Sequence, residues 1–230
     1  MSRGLRGIAA LIAFGCAGFA QAACVDNVVL VHGNSGSPAD FANTTGTLLA
    51  RGYTNAQIFR PAWGGACAAC NDHNGSEETP VENAMIDAIA SSCTGRIDVI
   101  GHSMGGTLAA RVIDRVGLKG YVDGFVGIAG AFRGLRSCGT YPWNVWTSTC
   151  GAWGLSVSSP FLNGISGKRF GTRMFSLKSY FDEIVCSTGS CTVAGVHSSS
   201  IAGENASFTY SWGHYGLLWY TATKQADLIQ

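Results

Sequence analysis

Ser103 stands in Gly101-His102-Ser103-Met104-Gly105, where the strand-like run "RIDVIG" gives way at once to a helical pattern. Glycines two positions to either side suit a turn too sharp for side chains. Such a turn lifts a serine hydroxyl clear of a sheet at the start of a helix, whose dipole favours developing negative charge. The chemistry available there is nucleophilic attack on an acyl carbonyl. A serine hydroxyl needs a base for this, and the base must be held in one tautomer by a carboxylate. Two histidines follow Ser103. His214, in "SWGHYGLL", lies just past the last strand-like segment and can fold back over a sheet edge. His197, in the Ser- and Gly-rich "AGVHSSS", reads as an exposed loop residue with no part in the chemistry. The carboxylate is expected after the preceding strand, in "RMFSLKSYFDEIV", where Asp182 comes first and Glu183 second. Asp114 and Asp123 read as surface charges. Stabilising an oxyanion takes two backbone N–H groups. Met104 directly follows the nucleophile, and Asn34 is the natural second donor, in "VHGNSGS". His32 and Gly33 shape that loop, His102 reads as a packed neighbour and His73 as an exposed loop residue.

The elements that must position these groups alternate along the chain. Strands are expected over 27–32, 56–61, 96–101, 123–130, 173–180 and 207–212, the first as a continuous apolar run suited to burial on both faces. Ser37 and Pro38 open a helix that Gly52 closes. Thr79-Pro80-Val81-Glu82 reads as a capping box, with Val81, Met85, Ile86 and Ile89 on one face of the helix that follows. After Ser103, Leu108, Ala109, Val112, Ile113 and Val116 form one stripe. A last helix begins near Tyr215. The fold class is α/β: about six mostly parallel strands with helices on both faces. Chemistry in such sheets sits at the carboxyl ends of the strands.

The segment 131–172 breaks the rhythm. It holds Trp143, Trp146, Trp153 and Phe161, and reads either as a lid or binding loop or as a disulfide-pinned excursion packed on the body. With Trp63, Trp212 and Tyr215, the three tryptophans are the candidate substrate contacts.

Residues 1–22 have the order of a secretory signal: Arg3 and Arg6, an apolar run from Ile8, then Ala20-Gln21-Ala22. Residues 23–230 read as a single catalytic domain. Removing Arg3 and Arg6 from 15 basic residues leaves 13 against 14 acidic ones, a net charge of −1. That balance, with 13% charged residues, gives no footprint for nucleic acid. Without Cys16, nine cysteines become eight, an even number that reads as disulfides in an exported chain. Cys138–Cys150 and Cys186–Cys191 close short loops. Cys24 and Cys93 stand at equal distances before the ends of two predicted strands, which pairs them if those strands are parallel neighbours, and Cys67–Cys70 remains. No second ligand pair gives Cys67-Ala-Ala-Cys70 zinc spacing, so no metal is expected.

Together "VVLVHGNSGSPADF", "IDVIGHSMGGTLAARVI", the strand end at Asp182 and "GHYGLLW" resemble the small bacterial class 2 lipases of the α/β-hydrolase superfamily. The resemblance runs over nearly the whole mature chain. It implies a minimal α/β-hydrolase fold with Ser103 as nucleophile, Asp182 as acid, His214 as base, and Asn34 and Met104 as oxyanion donors. It also implies little or no lid. With the signal, the expectation is a secreted monomeric carboxylester hydrolase acting on hydrophobic esters without cofactor or stable membrane insertion. The eight cysteines and the aromatic segment depart from the smallest members. They leave open whether the cleft is bare, covered or extended into a platform for a polyester. An acyltransferase and a non-enzymatic lipid-binding module are the other readings of the same scaffold.

Overall fold

The computed structural model describes residues 24–230, so the signal expected over residues 1–22 lies outside the described residues. In chain order the elements are β1 (Asn27–Val31), α1 (Ala42–Ala50), β2 (Ile58–Phe59), α2 (Glu78–Ser91), β3 (Ile97–His102), α3 (Met104–Val116), β4 (Val122–Ile128), β5 (Leu135–Thr140), β6 (Ser156–Val157) and α4 (Pro160–Ile165). They continue with β7 (Arg173–Ser179), β8 (Thr192–Val193), β9 (Val196–His197), β10 (Ala206–Tyr210), α5 (His214–Tyr220) and α6 (Ala222–Leu228).

Six strands form one parallel sheet in the order β10-β7-β4-β3-β1-β2. Alternation along each strand divides the core. Val28, Leu30 and Ile100 pack with Leu48 of α1, Leu217 of α5 and Ala226 of α6. Val29, Val31 and Val99 pack with Met85 of α2 and Leu108 and Val112 of α3. Both faces are therefore covered, which is why these strands read as continuous apolar runs rather than alternating ones. From β1 the chain moves outward to β2, then returns to build β3 on the other side of β1. The switch point falls between the carboxyl ends of β1 and β3, in register at Val31 and Gly101. Ligand crevices form at such a point.

Three local expectations are corrected. The second strand shrinks from 56–61 to two residues, because Asn55–Gln57 form a 3-10 turn. Thr79 does not cap α2; a 3-10 turn over Gly75–Glu77 leads into a helix that already starts at Glu78. The Glu78 carboxylate is buried there and pairs with Arg111 and Arg115. Ile86 faces solvent, while Val81, Met85 and Ala88 form the buried stripe.

The cysteines pair as Cys24–Cys93, Cys67–Cys70, Cys138–Cys150 and Cys186–Cys191. The first ties the amino ends of β1 and β3, which are indeed parallel neighbours. In the segment 131–172, Leu155, Phe161, Leu162, Ile165 and Phe170 join the core beside α3. Trp143 and Trp146, each 85% exposed, project from it.

Candidate active site

The turn at Ser103 is built by close backbone approach. A Cβ on Gly105 would overlap the carbonyls of Val31 and His32, and one on Gly101 would overlap the Cα of Gly106. The first turn of α3 can therefore sit against the ends of β1 and β3 only while both positions stay bare. Ser103 itself has φ 54°, ψ −130°, a left-handed backbone that a non-glycine residue holds only under constraint. Its N–H donates to Ile128 O at 2.7 Å, which anchors the turn to β4. Gly105→Ala is expected to cost at least about 2–3 kcal/mol, a fall of roughly 5–10 °C in Tm. Thermal unfolding of the purified variant checks this.

Asp182 and His214 meet beside that turn. His214 Nδ1–H donates to the Asp182 carboxylate, 2.9 Å from each oxygen. Both residues are buried. Asp182 Oδ1 also accepts the N–H groups of Ile184 (2.9 Å) and Val185 (2.8 Å), which fixes the carboxylate at the turn after β7. His214 opens α5, and its own N–H donates to Glu183 Oε2 at 2.9 Å. Glu183, the second acid in the sequence, thus anchors the backbone that carries the imidazole. With Nδ1 occupied as a donor, Nε2 is the atom left to accept a proton.

His102 links this pair to the serine. Its ring lies 4.8 Å from that of His214, and its Nε2–H donates to His214 O at 3.2 Å. Burial and the nearby His214 hold its pKa well below the usual histidine range, so it is a neutral spacer. The loop after β1 passes on the other side. A Cβ on Gly33 would lie 3.1 Å from Ser103 Cβ. Among the described residues, the backbone N–H groups of Asn34 and Met104 find no backbone acceptor.

Several assignments change. Trp63 is buried, donating from Nε1 to His32 O at 2.8 Å and from its backbone N–H to His32 Nε2 at 3.3 Å. It packs the base of the loop and does not line an open cleft. His73 is fully buried rather than exposed: Nδ1–H donates to Trp153 O at 2.8 Å and Nε2 faces the Thr107 hydroxyl at 2.7 Å. Burial pushes its pKa down to about 3. His197 is also buried, its Nε2–H donating to Ser179 O at 3.0 Å. Asp114 and Asp123 are surface charges as expected, paired with Lys168 and with Arg96 and Arg173. Trp212 and Tyr215 are exposed, before and after His214 in the chain, and Trp153 lies beneath Arg111 on the flank of α3. Sequence reading missed Tyr180 and Phe181, exposed directly before Asp182, and Trp219 and Tyr220 beyond Tyr215. The aromatic density of "KSYFDE" and "HYGLLWY" was the available signal.

Among the described residues, two groups of side chains have metal-like spacing. Cys186 and Cys191 are consumed by their disulfide beside His197. Asp26, Asp98 and Asp123 lie at the amino ends of the strands, away from Ser103, and Asp98 Oδ1 already accepts Gly124 N–H at 2.7 Å. Burial, with Asp26 beside it, raises the Asp98 pKa to about 8. The folded state thus keeps a proton that the unfolded chain loses near pH 4. Its contribution to stability is full below that pH and is lost as pH rises to about 8. Asp98→Asn, neutral throughout, is expected to match the parent near pH 4 and exceed it by up to about 5 kcal/mol at pH 9, since each pH unit between about 4 and 8 costs the parent about 1.4 kcal/mol. Tm measured across that range checks it.

The comparisons agree with this architecture. Aspergillus fumigatus lipase B superposes with a TM-score of 0.55 at 20% identity, over 84% of this chain and 49% of that one, so the present chain spans about half its length. Bacillus licheniformis lipase BlEst2 in mature form gives 0.62 at 12% identity, over 90% and 93%. The pyrethroid hydrolase PytH gives 0.54 at 13% identity, over 88% and 96%. At these identities the likeness is one of fold. No curated protein matches the sequence significantly. A family model described as "Lipase (class 2)" matches residues 26–226. With the parallel sheet, the turn at Ser103 and the Asp182–His214 pair, this chain belongs to the class 2 lipase family of α/β-hydrolases.

Proposed function

We propose that the protein is a secreted serine carboxylester hydrolase, in which Ser103 Oγ attacks the ester carbonyl. His214 Nε2 takes the hydroxyl proton, and Asp182 holds Nδ1–H and stabilises the imidazolium. The amides of Asn34 and Met104 receive the oxyanion of the tetrahedral intermediate. Its collapse breaks the bond to the leaving alkoxide, which His214 protonates, and leaves an acyl group on Ser103. Water, deprotonated by His214, then attacks the acyl carbonyl; collapse breaks the bond to Ser103 Oγ, which His214 protonates, and releases the carboxylic acid. No step calls on a metal or organic cofactor. The observation that carries this reading is the His214–Asp182 bond with Nδ1 as donor, beside a serine in a strained turn. It argues against a non-enzymatic lipid-binding module, which has no use for an imidazole held in one tautomer.

The four disulfides support export, and no helix among the described residues is long and apolar enough to cross a membrane. The exposed rim of Tyr180, Phe181, Trp212, Tyr215 and Trp219 supports a hydrophobic ester as substrate. Those exposed aromatics also favour a second reading, an extracellular polyester depolymerase, because they suit a solid polymer as well as a lipid surface. Hydrolysis of p-nitrophenyl esters of increasing acyl length, emulsified triglyceride and polyester films tests both. Preference for long acyl chains and emulsion supports a lipase. Release of acid from films, with weak action on triglyceride, supports the depolymerase. Inactivity on every ester overturns both.

A further inference from the structure

We propose that Asn71 is a positioning residue for the oxyanion loop, braced by the ring that Cys67 and Cys70 close. This rests on the reading of Asn34 as an oxyanion donor. Residues 63–71 run alongside 32–35 and hold them at His32, Asn34 and Ser35. Trp63 holds His32 at one end, and at the other the Ser35 hydroxyl donates to Ala66 O at 3.3 Å. Between them the Asn34 carboxamide is fixed at both atoms. Its Nδ2 donates to Ala68 O at 2.8 Å, and its Oδ1 accepts from Asn71 Nδ2 at 2.6 Å.

Asn71 has little freedom to move. It is 3% exposed, and its remaining hydrogen-bonding capacity goes to Gly65, donating to the carbonyl and accepting from the N–H, both at 2.9 Å. Ala68 lies within the Cys67–Cys70 ring, and the Cys70 N–H donates to Cys67 O at 3.0 Å. Thr149, from the segment 131–172, sets its hydroxyl 2.5 Å from Ala68 O and 2.6 Å from Asn71 O. The next residue of the gripped loop, Ser35, has φ 55°, a conformation its neighbours must enforce. Because the Asn34 side chain and the Asn34 amide share one residue, fixing the carboxamide from two directions limits rotation of the peptide that carries the N–H. A donor aimed in advance lowers the barrier without tightening substrate binding, since the oxyanion forms only on the way to the transition state.

The test uses the full chain with Asn71→Ala, Asn34→Ala, the double variant, and Cys67→Ser with Cys70→Ser, each with its Tm measured. Ser103→Ala runs beside them. Asn71→Ala is expected to lower kcat about 10- to 100-fold with KM within about twofold, since small displacements of catalytic groups cost this much. Affinity for an alkyl boronic acid, which forms a tetrahedral adduct, falls by a similar factor. The double variant is no worse than the worse single one, and the ring variant falls in the same direction. If Asn71→Ala does not fold, Asn34→Ala breaks the same bond from its half-exposed side and gives the same readout. Unchanged kcat, a loss carried by KM, or multiplicative losses in the double variant overturns the proposal. Where those results come with an inactive Ser103→Ala, only the clamp fails. Where Ser103→Ala keeps full activity, the hydrolase reading fails with it.

Discussion

Ser103→Ala is expected to lower kcat by about 10⁶-fold while Tm stays within about 2 °C. The size follows from losing the covalent route: alanine offers no atom to take the acyl group, and His214 is left with no hydroxyl to activate. What survives is whatever the oxyanion amides and substrate binding give to direct attack by water, about 10³- to 10⁴-fold over the uncatalysed reaction. The backbone argument limits the effect on stability. Ser103 holds φ 54° through its N–H bond to Ile128 O and through the bare neighbours at Gly101 and Gly105, none of which involves its hydroxyl. Steady-state rates on a soluble ester, paired with calorimetry, check both halves. An active variant would mean that the turn at Ser103 is only a turn.

Asp182→Asn is the second large effect, a loss of about 10⁴-fold in kcat at neutral pH. The carboxylate oxygen Oδ1 accepts two backbone N–H groups, from Ile184 and Val185. An asparagine at this position keeps its carbonyl oxygen toward those donors, so its amide N–H₂ turns toward His214. The imidazole must then present Nδ1 as an acceptor and carry its proton on Nε2, where it cannot take one from serine. The prediction is therefore specific to tautomer rather than to folding. The variant keeps its Tm, and the rate recovers at high pH, where hydroxide substitutes for the missing base. Rates across pH check it. Loss of activity that tracks unfolding would contradict it.

What could be read from the sequence divides along physical lines. The parallel sheet was legible because burial on both faces leaves a signature in the chain itself. Val28–Val31 is an unbroken apolar run, Ile97, Val99 and Ile100 are buried around Asp98, and Leu108, Ala109, Val112 and Ile113 repeat at helical spacing. The places of Ser103, Asp182 and His214 at strand ends were legible for the same reason, since each follows a predicted strand. Their contacts were not, because the Asp182–His214 bond spans 32 residues and depends on how β7 and α5 meet. Histidines were misjudged where tertiary partners decide their fate. His73 looked like a loop residue, yet Trp153, 80 residues away, supplies the carbonyl that lets its ring be buried. Asn71 carried no signal at all; its importance comes from lying opposite Asn34, a relation no local pattern encodes.

The strand order has a consequence in time. β3, which runs into the turn at Ser103, pairs with β1 and β4, whereas β10 lies on the outer edge and α5 follows it. A chain emerging from its amino terminus can thus assemble the elbow and the loop that carries Asn34 before the segment bearing His214 exists. His214, the proposed base, is the last of these groups to be synthesised, and its own N–H bonds Glu183 just beyond the end of β7. On the proposed mechanism, ester hydrolysis therefore switches on late in folding. A nascent or trimmed chain holds a serine and no base, and ester turnover serves as a readout of completed chains.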